Sequence, residues 1–515
     1  MGRAAVATAL VLGLSVAPVA AGAQAPPLDP GPTPTDPCGP GSNPETGIQG
    51  RVSPEDHASG RAAKGYYCNT ETVSRIGTRG GYRVERYVDA AGHECAYYDT
   101  TLLYPSNAAF PGGGPVGTDV LDMTDPAKPV RTATLITPAM QSPHESVAVS
   151  EKRGLLAAVL GNPTSSPGFV DLYDISQDCR APVLMSSLPV GILGHEGNFA
   201  PDGLTYYVSS LDTGELTAVD VSNPTLPVPL FTTRYVAHGI SISEDGTRGY
   251  LARRGGLVIL DTTQIQNRVP NPTVPVVSTL TWYPMTTPQI TIPVTIGGRP
   301  YLIEMDEFGS KSEGSPVEDI VGAARIIDIA DETKPRVISN IRLDVHTRSK
   351  RQAISGDPNF SGRGDFQGYA GHYCAVPQRA EPGIVACTFI ESGLRVFDIR
   401  DPLNPKEIAY HNEPRGKTYP DDVLPTTYAM SSAAFVPERS EIWYSDGNSG
   451  FIAIRVTNGV WPFANAERGQ VAPAPLPPPE ELPPTGGGAV GVVAAMAAVG
   501  WVFSRAFRRK IDVGV

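Results

Sequence analysis

One unit recurs along this chain, an apolar strand that ends in aspartate and runs into a proline turn. GTDVLDMTDPAKPV surrounds Asp122, FVDLYDISQDCRAPV surrounds Asp174, LTAVDVSNPTLPV Asp220, GLVILDTTQIQNRVPNPTVPV Asp261, AARIIDIADETKPRV Asp328 and GLRVFDIRDPLNPKEI Asp398. A degenerate seventh copy, SGFIAIRVTNGVWP, carries Arg455 where the aspartate should stand. Successive positions lie 52, 46, 41, 67, 70 and 57 residues apart, the period of a four-stranded unit with variable loops. Runs such as LVIL and RVFDI are apolar on both faces, so each strand must be buried between neighbouring sheets. The aspartate at the strand end can accept from turn N–H groups, and the Pro that follows stops the ladder and redirects the chain. Another short strand comes next, as in PVRTATLIT or PVPLFTTRY, and a hairpin precedes each unit, with Asp202-Gly203 and Asp245-Gly246 at two of the tips.

No segment of the core shows sustained helical periodicity, and one four-stranded sheet cannot bury both faces, whereas seven around an axis can. The expected fold is therefore all-β: a seven-bladed β-propeller of four-stranded blades. The seventh copy has a third strand, 451–456, but nothing after Pro462 to serve as its fourth, while TETVSRIG at Thr70 to Gly77 resembles an outer strand. That N-terminal strand is expected to close the ring and remove the exposed edges.

The chain resembles the LVIVD-repeat proteins, bacterial surface and secreted propellers named after such a strand, over Cys68 to Pro462. The resemblance implies fold and location and is silent on activity. At the C-terminus, Leu482, Pro483, Pro484, Thr485 and Gly486 precede a 17-residue apolar run, Gly487 to Phe503, and the cations Arg505, Arg508, Arg509 and Lys510. This order resembles the LPxTG cell-wall sorting signal of Gram-positive bacteria, which implies a sortase that cleaves after Thr485 and peptidoglycan as the point of attachment. The apolar run is just long enough to pause in a bilayer, so the membrane is expected to engage the chain only through this segment before processing; a permanent C-terminal membrane helix is the alternative.

The remaining boundaries follow from composition. Residues 1–23 have the layout of a secretory signal peptide. Residues 24–67 form a Pro/Gly-rich segment, of which 25–47 is unable to bury a core, 68–462 the propeller, 463–481 a Pro-rich spacer, 482–510 the sorting signal and 511–515 a short tail. The expected location is outside the cell, on the wall. Six cysteines in an exported chain read as disulfides, and Cys374 with Cys387, on two consecutive apolar segments, is the pair the sequence brings together. The formal charge of −12 argues against a nucleic-acid partner.

Two functions compete. No nucleophile elbow, Walker loop or zincin motif is present, which favours a binding or interaction scaffold whose loops meet a protein, glycan or small-molecule ligand. The long insertion before the sixth unit, IRLDVHTRSKRQAISGDPNFSGRGDFQGYAG, would cover one end of the disc. Against this stand four histidines, His144, His195, His238 and His372, which lie 30, 25, 23 and 26 residues ahead of their aspartates and so just before the first strand of each unit. First strands line a propeller's axis. Gln289 and Ser431 take the equivalent places in units five and seven, and Glu145 and Glu196 stand beside two of the histidines. Converging imidazoles would bind iron, copper or zinc, with a glutamate to orient a ligand or act as base, and would make the protein a metal-dependent oxidoreductase. Otherwise each histidine simply hydrogen-bonds backbone between blades. Convergence, with nitrogens about 3 to 4 Å apart, separates the two. The six repeat aspartates are expected to be turn caps rather than calcium ligands.

Overall fold

The structure is a computed structural model that describes residues 31–101, 116–161, 168–192, 194–211, 213–282, 285–357, 360, 368–414 and 427–463. The chain divides into two compact units, Met1–Ala474 and Pro475–Val515, and the second lies wholly outside the described residues. So do the signal peptide, the sorting signal and the tail; among the described residues no helix is long and apolar enough to cross a membrane.

The first unit is a seven-bladed β-propeller of antiparallel sheets. Blade one runs from its axial strand Val84–Val88 through Glu94–Asp99 and Thr118–Asp122 to the outer strand Val130–Leu135. Blades two to six repeat the order, beginning at Ala148–Ser150, Glu196–Phe199, Ile240–Ile242, Thr287–Ile296 and Gly371–Ala375. Blade seven takes its first three strands from Ala434–Val436, Glu441–Asp446 and Gly450–Val456, and its outer strand from Thr70–Ile76, in register Thr70 to Val456 and Ile76 to Phe451. The N-terminal closure read from the sequence is the one observed.

The doubly apolar strands are buried on both faces because the core lies between blades. Ala148, Val159, Val170 and Leu172 of blade two meet Tyr206, Val208 and Val219 of blade three, and Tyr98 and Leu121 of blade one meet Trp443 and Phe451 of blade seven. Burial of each such side chain stabilises by roughly 1.5–3 kcal/mol, so closing the ring adds a whole further interface of this kind. At the tips of the hairpins named above, Gly203 and Gly246 take φ of 72° and 77°, the left-handed conformation that these turns require.

Each repeat aspartate caps the turn that follows it. Asp122, Asp174, Asp220, Asp261, Asp328 and Asp398 each accept, through Oδ1, from the backbone N–H two residues on, at 2.8–3.0 Å. In most blades a second Asp or Asn three residues later repeats the turn, as Asp125 does for Ala127 and Asp401 for Leu403. Blade seven needs no such turn, because its outer strand arrives from the other end of the chain. Arg455, in the aspartate's place, instead pairs with Glu441 and Glu71 at 2.9 and 3.0 Å.

The N-terminal segment is tied to blade six. Residues 31–67 pack on blade six: Tyr66–Cys68 adds a fifth strand beside Lys406–Asn412, and Val52, Ala62 and Tyr66, beyond the stretch read as coreless, are buried with Tyr410. What the Pro/Gly-rich composition hid is a set of specific ties. The Arg395 guanidinium, fully buried, is gripped between Glu45 of the segment and Glu407 of the blade. A disulfide joins Cys38 to Cys68. Cys374 and Cys387, directly opposite on adjacent strands of blade six, are bonded as expected, and Cys95–Cys179 ties blade one to blade two.

Candidate metal centre

The polar residues of the site sit where axial strands begin, because there the chain turns inward and the strand's apolar pairing has not yet started. His144 and Glu145 precede blade two, His195 and Glu196 open blade three, His238 precedes blade four, and His372 lies in the axial strand of blade six. All four imidazoles converge. His195 Nε2 lies 3.1 Å from His238 Nε2, the ring centroids of His144 and His195 are 4.1 Å apart, and each of the four has a nitrogen within 3.3–3.8 Å of a Glu145 carboxylate oxygen.

A second carboxylate completes the cluster, and the sequence reading missed it. Glu307, at the end of Arg299–Phe308 in blade five, places Oε2 3.0 Å from His238 Nε2 and Oε1 3.5 Å from His372 Nε2. The signal available was YLIEMDEF, an otherwise apolar buried strand that carries three acids at its axial end. Two of them, Glu304 and Asp306, pair with Arg325 and leave Glu307 for the axis.

The outer support is equally specific. Gln289 donates to Glu145 Oε2 at 2.6 Å, and the Tyr373 hydroxyl donates to the same oxygen at 3.2 Å. Arg83 of blade one donates through Nε to the Glu145 carbonyl and through Nη2 to Glu196 Oε1. Glu196 therefore spends one oxygen on Arg83 and Asn198 and stands behind the imidazoles. His372 presents Nε2 to the cluster because its Nδ1 is held by the Met430 carbonyl at 2.6 Å, and His144 Nδ1 faces the Gly161 carbonyl at 3.3 Å. Such backbone contacts fix tautomer and ring orientation in metal-ligating histidines. Ser431 departs from the pattern: its Oγ accepts from the Ser445 N–H, so it braces blade seven and does not join the cluster.

Burial and charge act against each other here. Burial holds His144 below and His195 well below the usual imidazole range. It acts on His372 in the same direction, but the Glu145 and Glu307 carboxylates that face its Nε2 outweigh it and lift that imidazole to about 9; the same carboxylates raise His238. Burial alone would raise Glu145 and Glu307, yet the facing imidazoles hold Glu307 below and Glu145 well below the ordinary carboxyl range. The centre thus keeps two carboxylates charged in a water-poor site. Several buried donor atoms still lack a hydrogen-bond partner, namely His195 Nδ1, His238 Nδ1, His372 Nε2 and Glu307 Oε2. Buried polar atoms left unpaired are rare, and three of these, His238 Nδ1, His372 Nε2 and Glu307 Oε2, face the cluster and fit a cation placed among them. His144 and His195 are 16% and 13% exposed at the side chain while His238 and His372 are closed off, so the cluster opens toward blades two and three.

His144 is also held in the left-handed region, at φ 52°, where non-glycine residues cost of order 1–3 kcal/mol, and such strain collects at functional sites. The Tyr82 ring packs 4.8 Å from His144 and 5.3 Å from His372 and covers the cluster beside them.

No family model and no curated protein sequence matches the chain. Among solved structures, the hydrazine synthase of Kuenenia stuttgartiensis aligns with 13% identity over 74% of this chain and 97% of its own, at a TM-score of 0.46. The β-propeller domain of Cps50 (Swd1) from Myceliophteria thermophila gives 11% identity, 74% and 99% coverage and a TM-score of 0.43. The periplasmic gluconolactonase PpgL of Pseudomonas aeruginosa gives 12%, 64%, 85% and 0.42. These are likenesses of propeller architecture, and at such identity they say nothing of what this chain does.

Proposed function

We propose that this protein is an exported, wall-anchored metalloenzyme whose centre lies on the propeller axis. The observation that carries the reading is the convergence of four imidazoles and two carboxylates from blades two to six, with His195 and His238 nitrogens 3.1 Å apart. That separation suits two ligands of one ion, about 3.0–3.4 Å for bonds near 2.1 Å. Mixed imidazole and carboxylate donors suit iron, manganese or zinc better than monovalent copper. With iron the protein would be a metal-dependent oxidoreductase, and bound metal would supply Lewis acidity and electron transfer. The chain's own residues hold the centre: Gln289 and Tyr373 fix Glu145, Arg83 fixes its backbone, and Met430 and Gly161 orient two imidazoles. The scaffold reading, first in the sequence, falls behind because a passive disc has no use for a buried polar cluster with unpaired donors. Export and anchoring are supported by the signal-like N-terminus, the sorting-like C-terminus and three disulfides, which persist in oxidising compartments.

Elemental analysis of protein purified without a histidine tag tests the metal. The expected result is near-stoichiometric transition metal, lost on changing His195 and His238 to Ala while the fold survives by circular dichroism. Metal-free wild-type protein that also fails to take up Fe(II), Mn(II) or Zn(II) would return the scaffold reading to first place.

A further inference from the structure

Two consecutive residues of one strand reach the same carboxylate. In Gly371–Ala375, the axial strand of blade six, His372 Nε2 lies 3.3 Å from Glu145 Oε1, and the Tyr373 hydroxyl donates to Glu145 Oε2 at 3.2 Å. Neighbours in a regular strand point to opposite faces, so only a break in the pleat can send both toward the axis. The register contains that break. Gly371 stands opposite Phe389 and Cys374 opposite Cys387, three steps along the axial strand against two along its partner, which makes a β-bulge at His372 and Tyr373.

Two devices keep the bulge in place. Within it, the Thr388 side chain stands in for the ladder: its Oγ1 accepts from the Tyr373 N–H at 3.2 Å and donates to the Ser431 carbonyl at 3.1 Å. At its end, the first regular pair, Cys374 and Cys387, is joined by a disulfide. We propose that this bond, together with the Thr388 hydroxyl, is a positioning element of the axial centre. It fixes the register in which His372 presents Nε2 and Tyr373 holds Glu145, and metal affinity depends on it. The inference rests on the reading of the axial cluster as a metal centre and adds what aims its blade-six residues.

Hydrogen bonds alone hold this register weakly, because only Gly371, Cys374 and Ala375 of the axial strand have ladder partners. A slip of one residue turns side chains to the other face, so relaxation to regular pairing would point either His372 or Tyr373 away from the axis. The bond is also poorly placed to serve the fold at large. Its cysteines are 13 residues apart in sequence, against 84 for Cys95 and Cys179, and the chain-entropy gain from a cross-link grows with the loop it closes. Cys95–Cys179 is the better staple of the fold, and Cys374–Cys387 is the one beside the centre.

The test is metal affinity. Full-length untagged protein, stripped with chelator, is titrated with Zn(II) against a chromophoric competitor. C374A/C387A should bind Zn(II) about 10–100-fold more weakly than wild type, the usual cost of losing support around a metal ligand, whereas C95A/C179A should bind as wild type does. In an H372A/Y373F background nothing is left for the bond to aim. There the C374A/C387A substitutions should change affinity by no more than about twofold, the scatter expected of independent sites. T388V should weaken binding and T388S should restore it, which decides the matter where the cysteine variant does not fold. Wild-type affinity in C374A/C387A, or in T388V should that variant alone fold, overturns the positioning role and leaves the metal centre standing. So does an equal loss in C95A/C179A, or a loss that persists in full without His372 and Tyr373. A wild-type chain that takes up no Zn(II) overturns the metal centre, and this inference with it.

Discussion

At the scale of single residues, the chain uses one chemical device many times and a second one once. The repeated device is the aspartate that caps its own turn, and in all six copies the carboxylate is already occupied by a backbone N–H two residues on. Replacing Asp220 with Ala should thus destabilise by about 1 kcal/mol, as for other local side-chain caps, read as a shift of the urea midpoint. Calcium chelation should leave the melting temperature unchanged, since these oxygens are spent on turns; a drop in melting temperature would give the aspartates back a calcium role. The singular device is His144, a residue of the axial cluster held in a glycine-like backbone at φ 52°. His144→Gly removes the strain and the ligand together. With metal stripped from all three proteins, it should melt at or above wild type, and above His144→Ala by roughly 1 kcal/mol in stability. A glycine variant less stable than the alanine one would show that the backbone there is not strained. The four histidines were legible because the repeat fixes a frame in which a residue just ahead of each first strand must face the axis. Glu307 was not, because it lies at the end of a second strand and only the three-dimensional curl of blade five brings it inward.

At the scale of elements, closure was legible and the N-terminal strap was not, for opposite physical reasons. Closure is forced by counting: a third strand at 450–456 without a fourth leaves an edge, and Thr70–Ile76 is a strand-like segment ahead of blade one that can fill it. Deleting residues through Gly77 should strip blade seven of its outer strand and expose that edge, so the protein should aggregate or melt markedly earlier; an unchanged melting temperature would reject closure as a source of stability. The strap offers no such count. Its order comes from tertiary partners that lie hundreds of residues away, such as Glu45 with Arg395 and Thr35 Oγ1 donating to Glu407 Oε2 at 2.8 Å. Composition says only that such a segment lacks a core of its own; it borrows that of blade six. Arg395→Ala would leave two buried carboxylates, Glu45 and Glu407, without their shared cation, and should destabilise by about 3–5 kcal/mol, the usual result of breaking one side of a buried pair. A loss under about 1 kcal/mol in urea unfolding would mean that the strap detaches at little cost.

At the scale of the whole molecule, the ring exists to hold one axial point still. The axial histidines and glutamates of five successive blades keep their places only if no blade shifts against its neighbour, and the closed circle, with Cys95–Cys179 between its first two blades, restrains such sliding. A centre built this way does not need a lid or a second domain, and it tolerates being held at the end of a tether. The formal charge of −12 and the three disulfides suit the proposed export. The proposed tether is the Pro-rich 463–481 with the pentapeptide Leu482 to Gly486. If a sortase reads it, the peptide bond between Thr485 and Gly486 is exchanged for an amide to wall peptide, and the apolar run with its basic cluster is left behind in the membrane. Protein released from walls by a muramidase and digested should then yield a C-terminal peptide ending at Thr485 with the added mass of wall peptide. Recovery of an intact peptide across Thr485-Gly486 from the mature protein would instead leave the propeller held by its C-terminal apolar segment, with the axial centre displayed at the membrane rather than on the wall.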